Sequence, residues 1–171
     1  HVRDFARQSN VIASKVNIND PIRDVFKVLG HQVKVHKVEL ILDLDPHIPL
    51  ILAEYNRLEQ VFINLVTNAI DALDEKERLS PETGWKKQLK IKSSFENGQV
   101  LVTVSDNGTG MKKEIMEKIF EPFFTTKDVG RGTGLGVSIS HGIVKDYKGD
   151  IQVKSEVGKG TTFLIRFPAV D

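Results

Sequence analysis

Leu89-Lys-Ile-Lys-Ser-Ser-Phe95, Glu96, Asn97-Gly98 and Gln99-Val-Leu-Val-Thr-Val-Ser105 run together as one stretch that reads as two strands around a tight turn. Asn-Gly tolerates the positive φ angles that a two-residue hairpin turn demands, so Leu89 to Phe95 and Gln99 to Ser105 pair antiparallel. A second pair follows near the end of the chain, Ile151 to Ser155 and Thr161 to Phe167, joined by Glu156-Val-Gly158-Lys-Gly160. Adjacent hairpins of this kind argue against strict strand–helix alternation and a doubly wound parallel sheet.

Upstream of the first hairpin, Glu54 to about Lys76 is the strongest helical stretch. Before it, Val38 to Leu44 alternates as a strand, and Pro46 and Pro49 bracket a loop. Ile22, Val25, Phe26 and Leu29 recur at helical spacing behind Pro21. Asn19 or Asp20 is the expected N-cap there, and Gly30 or Val35 the end. Val2 to Val16 reads as the end of another helix. Downstream lie a short helix from Lys113 to Phe120, a Gly- and Thr-rich segment from Thr125 to Gly136, and a helix from about Leu135 to Tyr147 that ends near Gly149. The expected fold class is α+β, a two-layer α/β sandwich.

The 171 residues suit one domain plus a short flanking element. The boundary is expected between residues 1–16, a linker or helix end, and residues 17–171. A formal net charge of +1 gives no reason to expect nucleic acid or an anionic membrane as partner. The absence of cysteine excludes disulfides and thiolate metal sites and fits a reducing compartment. No apolar run reaches the roughly 18–20 residues of a membrane span, and the N-terminus is no signal peptide.

Around the long helix, Val61, Phe62, Leu65, Val66, Ala69, Ile70, Ala72 and Leu73 share one half of the cylinder. Gln60, Asn64, Thr67, Asn68 and Asp71 fall on a narrow opposing arc. A solvated face is usually rich in Lys, Glu and Arg, because asparagine is a poor helix former. Asn64 and Asn68, stacked one turn apart, point instead to amide oxygens for Mg²⁺ and amide nitrogens for phosphate.

Two glycine-rich loops complete the pattern. Asp106-Asn-Gly108-Thr-Gly110-Met ends a strand; it suits a plain turn, and equally a carboxylate accepting a hydrogen bond from an exocyclic amine. Gly130-Arg131-Gly132-Thr133-Gly134-Leu135-Gly136 opens onto a helix, where backbone N–H groups and the helix dipole favour an anion. It lacks the Gly-Lys-Ser/Thr ending of a P-loop. Lys127 and Arg131 flank it.

Taken in order, these motifs resemble the ATP-binding domain of sensor histidine kinases. Asn64 to Ala72 resembles the family's asparagine box, Asp106 to Met111 its first glycine box, Ile119 to Lys127 its phenylalanine box and Gly132 to Ser140 its second glycine box. Glu-Pro-Phe-Phe-Thr-Thr-Lys127 is most similar to the nitrogen-regulation type.

The resemblance implies a Bergerat-type fold: a mixed sheet, three main helices on one of its faces, and a mobile ATP lid. It implies that Asp106 binds the adenine amino group, with Ala72, Gly108, Gly110 and Thr161 around the ring. Asn68 would ligate Mg²⁺, and Asn64 would lie beside metal and phosphates, with Asp71 on the same helix. Thr125 to Thr133 would be the lid rooted by Phe123 and Phe124; Ile119, Thr125, Thr126, Lys127, Arg131, Gly132 and Thr133 would face the nucleotide, and Asn64 and Lys127 would act in catalysis. Gly134, Leu135 and Gly136 would present N–H groups to the phosphate chain.

Two positions depart from relatives. Asp71 stands where many histidine kinases carry a cation, which shifts phosphate contacts to Lys127 and Arg131. Gln60 stands where the hydrolytic cousins place a general-base glutamate, and an amide takes no proton from water at neutral pH.

The acceptor histidine of the family sits on a separate helical hairpin, before an acidic residue. None of His1, His31, His36, His47 and His141 has that setting. The resemblance therefore implies a cytoplasmic ATP- and Mg²⁺-binding domain, monomeric by itself and dimeric in its parent. Its partners would be an acceptor-histidine dimerisation domain and a response regulator receiver domain. A protein-serine kinase or ATPase of the wider GHKL superfamily, or a nucleotide-binding regulatory module, is the alternative.

Overall fold

The computed structural model describes residues 13–79, 81, 83–124 and 136–171. Its elements in chain order are β1 (Ser14–Val16), α1 (Asn19–Val35), β2 (Glu39–Leu44), β3 (Ile51–Ala53) and α2 (Tyr55–Leu79). They continue as β4 (Gln88–Glu96), β5 (Gln99–Asp106), α3 (Lys113–Met116), α4 (Gly136–Asp146), β6 (Asp150–Glu156) and β7 (Gly160–Pro168).

The main sheet runs β2-β4-β5-β7-β6, with β2 and β4 parallel and the other pairs antiparallel. Period-2 alternation sends Leu89 and Ile91 of β4, Val100, Val102 and Val104 of β5, and Phe163, Ile165 and Phe167 of β7 inward. Lys90, Lys92, Thr103 and Leu164 take the opposite, solvent-facing side. Asn97 and Gly98 turn the β4–β5 hairpin with φ of 52° and 77°, the paired positive angles expected of Asn-Gly.

Helices α1, α2 and α4 cover the inward face, giving the expected α+β two-layer arrangement with a mixed sheet. Helix α2 buries Leu58, Val61, Phe62, Leu65, Val66, Ala69, Ile70 and Leu73 along one stripe. Each of these side chains other than Ala69 contributes about 1.5–3 kcal/mol on burial. Asn64, Thr67, Asn68 and Asp71 stay on the other side, outside that buried set.

Several local expectations are corrected. Ser14–Val16, expected as the end of a helix, is a strand paired antiparallel with Ile51–Ala53, itself unforeseen between the prolines and the long helix. Three-residue strands carry too little periodicity to register in sequence. Of the two ends expected for helix α1, the structure takes the later one, running through Gly30 to Val35. Neither Asn19 nor Asp20 caps α1. The Asn17 carboxamide accepts the Asn19 N–H at 2.9 Å. Asn19 is instead buried, donating to the Asp45 carbonyl at 2.8 Å and accepting from the Ser93 hydroxyl at 2.7 Å. The short helix stops at Met116 rather than Phe120.

Candidate nucleotide-binding site

The polar line on α2 meets α4 at one end and the Asp106 loop at the other. The Asn64 side-chain amide donates to the Gly136 carbonyl at 3.1 Å and to the Ser140 hydroxyl at 3.3 Å. Ser140 is buried and donates to the same carbonyl at 2.9 Å. Nearer the N-terminus of α2, Arg57 pairs with Asp146 at 2.8 Å and lies over the Tyr147 ring. Helix α4 is thus held to α2 at both ends. One turn beyond Asn64 lies half-buried Asn68, then Asp71 and Ala72. From Asn64 to Ala72 the helix rises about 12 Å, space for an elongated ligand.

Asp106 ends β5 on the inward-facing row of Val100, Val102 and Val104. A carboxylate therefore occupies a place the strand pattern reserves for an apolar side chain. Loss of hydration pushes its pKa up to about 6, although backbone N–H donors at Gly108 and Thr161 pull the other way. The Gly108 N–H donates to Asp106 Oδ1 at 2.8 Å. A Cβ on Gly108 would stand 2.8 Å from the Ala72 carbonyl carbon, so only glycine lets the loop rest on α2 here. Asn107 anchors the loop to the sheet, accepting from the Gln88 N–H at 2.8 Å and donating to the Lys86 carbonyl at 2.8 Å. Ser155 accepts from the Met111 N–H at 2.7 Å and lies 2.8 Å from the Thr161 hydroxyl.

The structure thus brings together Asp106, Gly108, Gly110, Ala72 and Thr161 as one cluster, and Asn64 with Gly136 as another. Ile119 is half-buried against the core. Phe123, expected to seat the root of a lid as a core aromatic, is 72% exposed at φ 66°. A residue in the left-handed region turns its side chain away from the path that helical periodicity implies. Thr125, Thr126, Lys127, Arg131, Gly132, Thr133, Gly134 and Leu135, and with them the expected lid, lie outside the described residues. Gln60 is exposed, one turn before Asn64. Glu59 sits on the side facing α1, where its charge reaches Lys27 and Tyr55.

Sequence reasoning missed Ser155 and Lys76, which brace this site, and took Ser140 only as the end of the second glycine box. The repeated glycines at 158 and 160, read as a plain strand connection, were the available signal.

A family model described as "Histidine kinase-, DNA gyrase B-, and HSP90-like ATPase" matches residues 53–171. The chain belongs to this ATPase family. Sporulation kinase E of Bacillus subtilis (strain 168) is 36% identical over 96% of the chain. Sensor kinase CckA of Brucella abortus (strain 2308) is 38% identical, also over 96%. The chain spans only 21% and 18% of the length of these two curated relatives. Among solved structures, the catalytic domain of histidine kinase ThkA, free of nucleotide, superposes with a TM-score of 0.76 at 32% identity, covering 93% of this chain and 97% of that one. ThkA in complex with response regulator protein TrrA gives 0.72 at 29% identity, covering 99% of this chain and 46% of that one.

The raised pKa of Asp106 has a signed consequence. Its folded value, about 6, lies above the unfolded 3.8, so the native state holds the extra proton between these values. The Asp106 contribution to stability is present below about pH 4 and lost as pH rises through 6. If Asp106 accepts from an adenine amino group, as the resemblance implies, nucleotide affinity moves oppositely, because only the carboxylate is a full-strength acceptor for an exocyclic amine. Adenosine binding, free of phosphate titration, is expected to strengthen from pH 5 to pH 7 and level off. The check is calorimetry at each pH, with Asp106→Asn expected to give a flat profile.

Proposed function

We propose that this chain is the catalytic domain of a sensor histidine kinase that binds Mg-ATP and gives its γ-phosphoryl group to a histidine on a separate dimerisation domain. The observation that carries this reading is the joint placement of Gly108, held by the Asp106 carboxylate, against Ala72 and of Asn64 against α4, at the two ends of one polar line. Asp106 accepts from the adenine amino group, and Asn64 and Asn68 lie along the phosphates. Asn64 already donates through its amide nitrogen, which turns the carbonyl oxygen into its available acceptor end.

Asn68 supplies an amide oxygen suited to Mg²⁺, a hard cation that keeps waters and phosphate oxygens as its other ligands. When bound, the cation would neutralise charge on the phosphates. The contribution of the chain is positioning and electrostatics, with Lys127, Arg131 and the backbone at Gly134, Leu135 and Gly136 completing the phosphate contacts. Thr125, Thr126, Gly132 and Thr133 belong to the same covering segment.

Hydrolysis is disfavoured. Gln60 offers no base, and Glu59 faces α1. This separates the kinase reading from a free-standing ATPase. The boundary expected at residues 16 and 17 moves to before β1, because Ser14–Val16 pairs with β3 and Val16 lies in the core of the ATP-binding domain. ThkA, crystallised with its response regulator, supports a receiver domain as the second partner. Among the described residues no helix is long and apolar enough to cross a membrane. The kinase reading itself carries a cytoplasmic site of action, and a monomer until joined to its dimeric parent.

With labelled ATP and Mg²⁺, the chain alone is expected to stay unlabelled while a separately added acceptor hairpin from the parent kinase gains label at histidine. Label on the chain itself, or steady phosphate release without any acceptor, would contradict this reading.

A further inference from the structure

The turn between β6 and β7 is fastened to the Asp106 loop through backbone contacts. The Gly158 N–H donates to the Thr109 carbonyl at 2.7 Å. A Cβ on Gly110, at φ 70°, would lie 2.0 Å from the Glu156 carbonyl oxygen, so the two backbones touch at that point. The turn therefore acts as the outer wall of the loop that carries Asp106.

A side chain on α2 grips the same turn. Lys76 Nζ donates to the Gly158 carbonyl at 2.8 Å and lies 4.9 Å from the centroid of the Trp85 ring. Lys76 is only 7% exposed. Among the described residues, the acidic side chains nearest on α2 are engaged elsewhere: Asp74 and Glu77 contact Lys87 at 2.7 and 3.1 Å, Asp74 also contacts His36, and Glu75 contacts Arg78. Lys76 thus rests on a carbonyl dipole and an aromatic face. Burying an ammonium on such partners is costly compared with an apolar side chain of similar length. Packing alone would be better served by methionine.

We propose that Lys76 is a positioning residue for the adenine pocket, acting through Gly158 on the loop from Asp106 to Met111. The proposal rests on the reading of that loop as the adenine site. Ala72 and Lys76 are one turn apart on α2. Ala72 meets Gly108 on the inner side of the loop, and Lys76 holds Gly158 on its outer side, so one helix face sets the spacing of both walls. The peptide groups on either side of the Gly158 Cα are used in opposite directions, N–H to Thr109 and C=O to Lys76. A shift of the loop on ligand binding therefore moves Lys76 relative to the indole.

Trp85 is the single tryptophan of the chain, so its fluorescence reports this contact directly. In a titration of the 171-residue chain with ADP, Trp85 emission is expected to change and to saturate at the midpoint that calorimetry gives. Lys76→Met is expected to weaken ADP binding roughly tenfold, the loss of one hydrogen bond to a charged group, and to abolish the Trp85 response. Its melting temperature should hold or rise, because a buried charge has been removed. A purely structural lysine would instead lower stability and affinity together.

The proposal is overturned if ADP saturates the wild type without altering Trp85 emission, or if Lys76→Met binds ADP as tightly as the wild type. Should Lys76→Met fail to fold, the wild-type titration decides alone. Failure of the wild type to bind ADP by calorimetry would overturn the adenine-site reading itself, and the proposal with it.

Discussion

Asp106→Ala is expected to weaken ATP binding at least about a hundredfold while the domain still folds. The carboxylate is the acceptor proposed for the adenine amino group, and hydrogen bonds to a charged partner contribute about 1.5–3 kcal/mol. Alanine also leaves the Gly108 and Thr161 N–H groups without that acceptor, which loosens the loop that frames the ring. A hundredfold loss corresponds to about 2.8 kcal/mol, within the range these effects supply together. Folding should survive, because the substitution also removes a partly dehydrated carboxylate from an inward-facing row of valines. Calorimetry gives the affinity and circular dichroism the fold. Wild-type ATP affinity in a folded Asp106→Ala variant would dismiss Asp106 as the adenine acceptor.

Gly160→Ala is expected to be the most destabilising small substitution around the site. Gly160 has φ 135°, a region that L side chains rarely enter. Its Cβ would stand 1.9 Å from the Asp106 carbonyl oxygen and 2.9 Å from the Asn107 Cα. Neither contact is with a flexible side chain, so β7 must move from β5 where Thr161 pairs with Asp106. Strain of about 1–3 kcal/mol and overpacking of about 1–3 kcal/mol give a loss of roughly 4 kcal/mol. For a domain of this size that lowers the melting temperature by about 10 °C. Gly142→Ala is the control: Gly142 lies exposed on α4 with nothing within 4 Å of its Cβ, so the change should be neutral or slightly stabilising. Similar melting temperatures for the two variants would mean that the tight contact at Gly160 is not required.

Features of the fold that repeat over many residues were legible in the sequence. The stripe from Leu58 to Leu73 and the valines of β5 announce their elements because every second, third or fourth side chain agrees. Asn97-Gly98 was equally plain, since few other dipeptides accept two positive φ angles. What the sequence hid was short or paired at a distance. β1 and β3 exist only because each supplies backbone partners to the other across 35 residues. Asn19 looked like a helix cap because asparagine usually is one; in the fold its amide instead bridges Asp45 and Ser93. The same holds at the site. Asp106 and Asn64 stand out as polar residues where apolar or charged ones are usual. Lys76 and Ser155 look like ordinary members of a solvated face and a strand, and only the closure of the β6–β7 turn against the Asp106 loop gives them partners.

The β1–β3 pair lies close to the end of the chain. Leu50 bridges to Val170, and Lys15 donates to the Asp171 carbonyl. Just inside this, the Ala169 N–H donates to the Gly98 carbonyl, at the end of β5 and β7 opposite Asp106 and Gly160. Eight residues of β5 separate the two ends of the sheet, about 25 Å. Both ends of the described chain therefore leave from one corner, far from the nucleotide loops. A pull applied at that corner would load the few backbone hydrogen bonds around β3 rather than Asp106.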